Sequence, residues 1–210
     1  MVYAAFTIPQ LSYAEAMELS HFGAKVIFPA TMQPAMKKNI PIHIKNTFEP
    51  QHPGTLIQGT VRQGGWIKGI SSRSNLSLLT LQSSEWMVAG GNLGRIFKVL
   101  SEAKLSSLLI SQASSQHSIC LAMPAQEAVL AKEVIEQEFL HEIKSGEMDS
   151  VALLPGLALV AAVGENMKHD PGTSGRMFRA LGQNNINVAA IAQGSSELNI
   201  SAIIPQVDLQ

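Results

Sequence analysis

Gly94-Arg95-Ile96-Phe97 and Ile110-Ser111-Gln112-Ala113-Ser114-Ser115 are answered, 81 residues on, by Gly175-Arg176-Met177-Phe178 and Ile191-Ala192-Gln193-Gly194-Ser195-Ser196. The same offset carries Ile119 to Ile200 and Pro124 to Pro205, with no gap between the blocks. Spaced features agreeing in one register mark a duplication, which constrains the architecture before any local reading does.

Working outward from those blocks, each copy reads as strand, helix, strand, strand. In the first, Leu76 to Gln82 is an apolar strand-like run and Gly90-Gly91-Asn92 is rich in turn formers. Residues 94–103 then show helical spacing through Ile96, Phe97 and Leu100. Leu105 to Ser111 and Ser118 to Met123 are strand runs divided by a polar turn. The second copy repeats the series at 157–163, 175–184, 186–192 and 199–204. Thr173 and Ser174 are residue types suited to capping its helix, because a hydroxyl can accept an unpaired first-turn amide.

A longer helix follows the first copy, over about 125–144. Ala128, Ala131, Ile135, Phe139 and Ile143 share one face, and Lys144-Ser145-Gly146 supplies a stop. A strand at 150–154 would complete a βαββαβ unit. The second copy has no such helix and strand within residues 156–210. Upstream, residues 31–39 read as a short helix. Ile40-Pro41-Ile42-His43-Ile44-Lys45-Asn46 alternates like an edge strand, where proline is tolerated. We therefore expect 31–65 to supply that helix and strand plus a linker, so that the first unit (66–155) is inserted within the second (156–210). The expected class is α/β (α+β), two ferredoxin-like units each with an antiparallel sheet and helices on one face.

Composition narrows the functional classes. Hydrophobic residues make up 46% and charged residues 15%, against about 25% charged in an ordinary soluble domain. That shortage of charge agrees with a partner subunit covering some of the surface. The net charge of −1 and the lack of a basic run remove the electrostatic footprint of a nucleic-acid binder. No run approaches the ~20 apolar residues of a membrane span. With a single cysteine, Cys120, an internal disulfide is excluded and a cytoplasmic setting fits.

Ser12-Tyr13-Ala14-Glu15 has the capping-box pattern, opening a helix that Gly23 closes. The longer stretch LSYAEAMELSHFGAKVIFPATMQP (11–34), followed by IPIHIKNTFEPQHPGTLI (40–57), resembles the end of the kinase domain of aspartate kinases and the segment leading into their regulatory region. That family continues with two nested ACT units, the arrangement inferred from the repeat. The resemblance covers about residues 6 to 205 and is greatest to the bifunctional aspartate kinase–homoserine dehydrogenases, through the turns around Ile110–Ser115 and Ile191–Glu197. It implies that 1–30 is the end of an amino-acid-kinase domain. Phe28-Pro29-Ala30 departs from the family's usual His-Pro-Arg, so no role of that basic pair carries over. By resemblance the intact kinase uses ATP and Mg, with NAD(P) where a dehydrogenase domain follows. For these residues no cofactor is expected, and the chain reads as a non-catalytic fragment.

The residues themselves show no catalytic constellation. Gly90-Gly91-Asn92-Leu93-Gly94 lacks both the Lys-Ser/Thr of a P-loop and the spacing of a dinucleotide motif. Cys120 reads as a buried core thiol. His21, His43, His52, His117, His141 and His169 offer no metal-ligand spacing. Lys25 would lie near nucleotide phosphates in an intact kinase, by resemblance only.

Binding is better supported. An amino-acid effector needs donors for its carboxylate, and a helix N-terminus offers unpaired amides at the positive end of its dipole. Gly91, Asn92, Leu93 and Gly94 form one such end, and Thr173 with Ser174 the other. Gln112 and Gln193 carry both a donor and an acceptor at the end of the next strand, with Ile110 beside the first. The alternative is that each glutamine merely ties down its Ser-Ser turn. The family's effector contacts fall on this loop and strand, by resemblance. Lysine-sensitive relatives have an aspartate in the second strand of the first unit, where this chain has Leu108, and a buried second ammonium without a carboxylate is costly. L-Threonine is the expected effector and a homodimer or higher homo-oligomer the expected assembly. A lysine sensor and a ligand-free dimerisation module are the alternatives.

Overall fold

The computed structural model describes residues 6–24, 26–61, 65–83, 91–112, 118–167, 170–194 and 196–209. In chain order its elements are β1 (Gln10–Ser12), α1 (Tyr13–His21), α2 (Pro29–Lys37), β2 (Ile42–Ile44), β3 (Thr55–Gln58), β4 (Gly69–Gln82), α3 (Asn92–Glu102), β5 (Leu109–Gln112) and β6 (Ser118–Pro124). They continue with α4 (Ala125–Glu138), α5 (Leu140–Ser145), β7 (Ala152–Val163), α6 (Thr173–Gln183), β8 (Ala190–Ala192) and β9 (Asn199–Pro205). Short 3-10 turns occupy Glu165–Met167 and Gln206–Asp208.

The duplication is plain in these bounds. α3 and α6, and β6 and β9, correspond end to end at the 81-residue offset. The six-stranded sheet runs β5-β6-β4-β7-β9-β8, so the first copy's strands are mirrored by the second's. β5 pairs antiparallel with β6, and β4 with β6 over Leu76–Gln82. Even the exits agree: Pro124 and Pro205 have φ/ψ of −55/134° and −59/136° where α4 and the last 3-10 turn begin.

The strand proposed to complete the second copy lies elsewhere. β2 pairs antiparallel with β3, which pairs in parallel with β1, in a separate three-stranded sheet. Residues 31–65 do carry part of a helix (α2) and the strands β2 and β3, but these strands share a sheet with β1 rather than with the second copy's strands. The strand beside β7 is β4, whose first half (69–75) extends past its pairing with β6. At 14 and 12 residues, β4 and β7 are about twice the usual strand length of ~5–6 residues. The runs 150–154 and 157–163, read as separate strands, are one strand, β7. Gly156 within it, at φ +74°, takes the left-handed conformation that a side chain would oppose.

The chain divides into two compact units, Met1–Arg73 with Val160–Asn185 and Gln193–Ser201, and Ser74–Leu159 with Ile186–Ala192 and Ala202–Gln210. In the first unit the expected capping box is present. Ser12 Oγ accepts from the Glu15 amide at 3.1 Å, and Glu15 Oε2 from the Ser12 amide at 2.9 Å. Glu15 is 1% exposed, and its other oxygen accepts from the Glu165 amide at 2.9 Å. Glu18 accepts from Asn199 Nδ2 at 2.7 Å. In the second unit, Leu79, Leu81, Ile96, Leu100, Leu121, Ala128, Ala131 and Ile135 form one buried core. The helix expected at 125–144 breaks at Phe139 (φ −102°, ψ 23°) into α4 and α5, and Gly146 closes it in the left-handed conformation. Cys120 is half-buried against the Thr80 hydroxyl rather than in the core.

Candidate functional site

Each copy opens its helix on an equivalent glycine. Gly91 begins α3 at φ 79° and Gly172 begins α6 at φ 95°, and neither helix has a side-chain cap. The cap lies one residue before Thr173-Ser174, the pair proposed for it. A glycine reaches this conformation without a Cβ penalty and supplies no hydroxyl, so no side chain caps the first turn, although the Thr173 amide donates to the Asp170 carbonyl at 3.4 Å. Nothing lies within 4 Å of a Cβ built at Gly91, Gly94, Gly172 or Gly175.

The edge strands are also equivalent. In β5, Leu109 is buried while Ile110 and Gln112 are exposed, so alternation puts the last two on one face. Ala190, Ile191 and Gln193 repeat that pattern at β8. Ile110 also lines an open hollow of about 440 Å³ with Phe97, Leu100 and Lys104. In the second copy the turn and the glutamine meet, with Ser174 Oγ donating to Gln193 Oε1 at 3.4 Å. The first copy has Leu93 at the place of Ser174, which packs against the core and has no hydroxyl to offer. Lys25, Gly90 and the Ser-Ser turn at 113–117 lie outside the described residues.

An arginine that was not singled out from the sequence braces each turn. Arg95 donates from Nη1 to Asn92 Oδ1 at 3.3 Å, from Nε to Glu138 Oε1 at 2.7 Å, and to Glu142. Its guanidinium lies 4.2 Å over the Phe139 ring. Arg176, its equivalent, donates to Thr173 Oγ1 at 2.8 Å and to Asp170, and lies 4.7 Å over Trp66. Asn92 and Thr173, the first residues of the two helices, are themselves buried at 7% and 3% exposure. The Arg95 guanidinium holds the Glu142 carboxyl below its usual range, and Glu142 then Glu138 raise Arg95 in turn. The Thr173 hydroxyl, followed by Arg176, lowers Asp170. The acids at both turns are thus already paired. Among the described residues no group of three His, Cys, Asp or Glu could hold a metal, and no helix is long and apolar enough to cross a membrane.

Comparison with known proteins agrees with the two-unit fold. An ACT domain model matches residues 89–139 and 160–210, and the amino acid kinase family matches 2–46, extending the kinase-like segment past the expected boundary at 30. The chain belongs to the ACT-domain proteins, with two ACT units. It is similar to the regulatory region of aspartate kinases, including that of the bifunctional aspartate kinase–homoserine dehydrogenases. It is 42% identical over 207 residues to the bifunctional aspartokinase/homoserine dehydrogenase of Haemophilus influenzae, covering 98% of this chain and 25% of that protein. It superposes on Clostridium acetobutylicum aspartate kinase with a TM-score of 0.87 at 31% identity, covering 99% of this chain and 47% of that one. E. coli aspartokinase III in complex with lysine and aspartate gives 0.75 at 29% identity, over 99% and 45% of the two chains. The chain spans about a quarter of the length of the curated relatives it matches.

Proposed function

We propose that this ACT region binds L-threonine at its two glycine-led turns and carries feedback inhibition to an aspartate kinase. The observation that carries the reading is the duplicated pairing of an uncapped helix start with an outward glutamine, Gln112 or Gln193, on the adjacent strand. Helix amides suit the effector carboxylate, and the glutamine can serve its ammonium or hydroxyl. Gly91, Asn92, Leu93, Gly94 and Ile110 would line the first site, and Thr173 and Ser174 the second. The E. coli relative was solved with lysine, whose second ammonium needs a carboxylate. Here Leu108 directly precedes β5 and residues 105–112 hold no acid, while Glu138, Glu142 and Asp170 are engaged by arginines. In the whole protein the module would act on phosphorylation of L-aspartate by ATP and Mg, and on an NAD(P)-dependent dehydrogenase where one is attached, in the cytoplasm.

Calorimetry and thermal shift test this directly. Saturating threonine should raise the melting temperature by about 5–10 °C, and Gln112→Ala and Gln193→Ala should each reduce that shift. A shift with lysine and none with threonine would replace the effector. A second reading, a ligand-free dimerisation module, is favoured by Ile110 and Ile191, 46% and 44% exposed on edge strands. It would stand if no amino acid produced a shift.

A further inference from the structure

We infer that Arg176 is a positioning residue of the second effector turn, and that its stack on Trp66 couples occupancy of that turn to residues 65–68, the segment leading into β4. The inference rests on the reading of residues 172–174 and Gln193 as an effector turn. Arg176 is bonded to the Thr173 hydroxyl, which itself donates to Asp170, and Arg176 also pairs with Asp170. Thr173 directly follows the glycine that opens α6, so this residue cannot shift without moving the guanidinium above Trp66.

The segment carrying Trp66 is docked beside the same loop. The Lys68 amide donates to the Val163 carbonyl at 2.8 Å, at the end of β7. Gly164, the next residue, has no room for a side chain, because a Cβ there would meet the Trp66 carbonyl oxygen at 2.1 Å. From Gly164 the chain proceeds to Asp170, Gly172 and the turn. The loop is held on its other side by Glu15, which accepts from the Glu165 amide. Trp66 itself is 53% exposed, so its ring is free to respond when the guanidinium moves.

The first copy provides the control. Arg95 makes the same return bond to the first residue of its helix, but its ring and carboxylates come from Glu138, Phe139 and Glu142. Those belong to α4, α5 and the break between them, so that arginine braces its turn against its own repeat. Only the second arginine reaches the chain that precedes β4.

The sequence contains two tryptophans, Trp66 and Trp86, so a Trp86→Phe chain carries a single reporter. L-Threonine titrated into it should change Trp66 emission along the same curve as the calorimetric heat. Arg176→Gln should keep the heat, weaken affinity about fivefold and abolish the emission change. Asp170→Asn should diminish that change, whereas Arg95→Gln should leave it intact. Heat without an emission change in the single-tryptophan chain overturns the coupling, as does an unaltered change in Arg176→Gln. In either case the proposed function stands. Absence of heat with every amino acid removes the proposed function and the coupling with it.

Discussion

Arg95 and Arg176 occupy one position of a duplicated helix, and the charges around them make that position sensitive to pH. The folded-state carboxyl of Glu142 lies below its usual range because Arg95 bonds to it. A depressed carboxyl contributes stability above its unfolded pKa of about 4.3, and the contribution is lost as pH falls through that value and below it. Melting temperatures measured from pH 7 to pH 3 should therefore drop on the acid side. Glu142→Gln should flatten that limb, and an acid limb unchanged in the variant would remove Glu142 from the account. The glutamines and the Gly91 turn are legible in the sequence, whereas the second helix start reads as Thr173-Ser174 and lies at Gly172. The role of the arginines is not legible in the sequence, although Gly-Arg recurs in both copies. Their partners lie 43 and 47 residues away in one copy and on Trp66 in the other, distances that no local pattern reports.

At the scale of elements, helical spacing identified the buried face of α4 and the buried Ile96 and Leu100 of α3, while Phe97, read on the same pattern, is 38% exposed. Ile96 is fully buried among Leu79, Leu121 and Ile135. Ile96→Ala should cost about 2–5 kcal/mol, from lost transfer energy plus the cavity left behind, as chemical denaturation would measure. A cost below 1 kcal/mol would mean that the site collapses or that α3 is less tightly seated. Periodicity did not foresee the break at Phe139, because Ile135, Phe139 and Ile143 keep helical spacing across it. It also did not foresee that β4 and β7 are long single strands. Residues 150–154 and 157–163 read as two strands, yet β7 continues through Gly156 at positive φ.

For the whole molecule, low charge and two edge strands bearing exposed isoleucines favour self-association. Sedimentation equilibrium should give about 45 kDa, twice the 22.5 kDa chain. Replacing Ile110 and Ile191 together with serine should shift the distribution toward the monomer. A monomer at high micromolar concentration in the unaltered chain would rule out the homodimer. At this scale the strand expected within 31–65 to join the second copy's sheet joined another. An alternating run with proline describes an edge strand in any sheet, and β2 found its partner in β3.

By itself, then, the sequence determined the duplicated strand–helix–strand–strand unit, the glutamine shared by its two copies, and the capping box that opens α1. All of these are set by neighbours within a few residues or by identity between copies. Tertiary structure alone decided which sheet each short strand joined, where α4 ended, and how Arg95 and Arg176 were anchored. The physical reason is that backbone pairing and ion pairing are chosen by proximity in space. Many sequences that present an edge or a charge could satisfy them, and only the folded chain selects one.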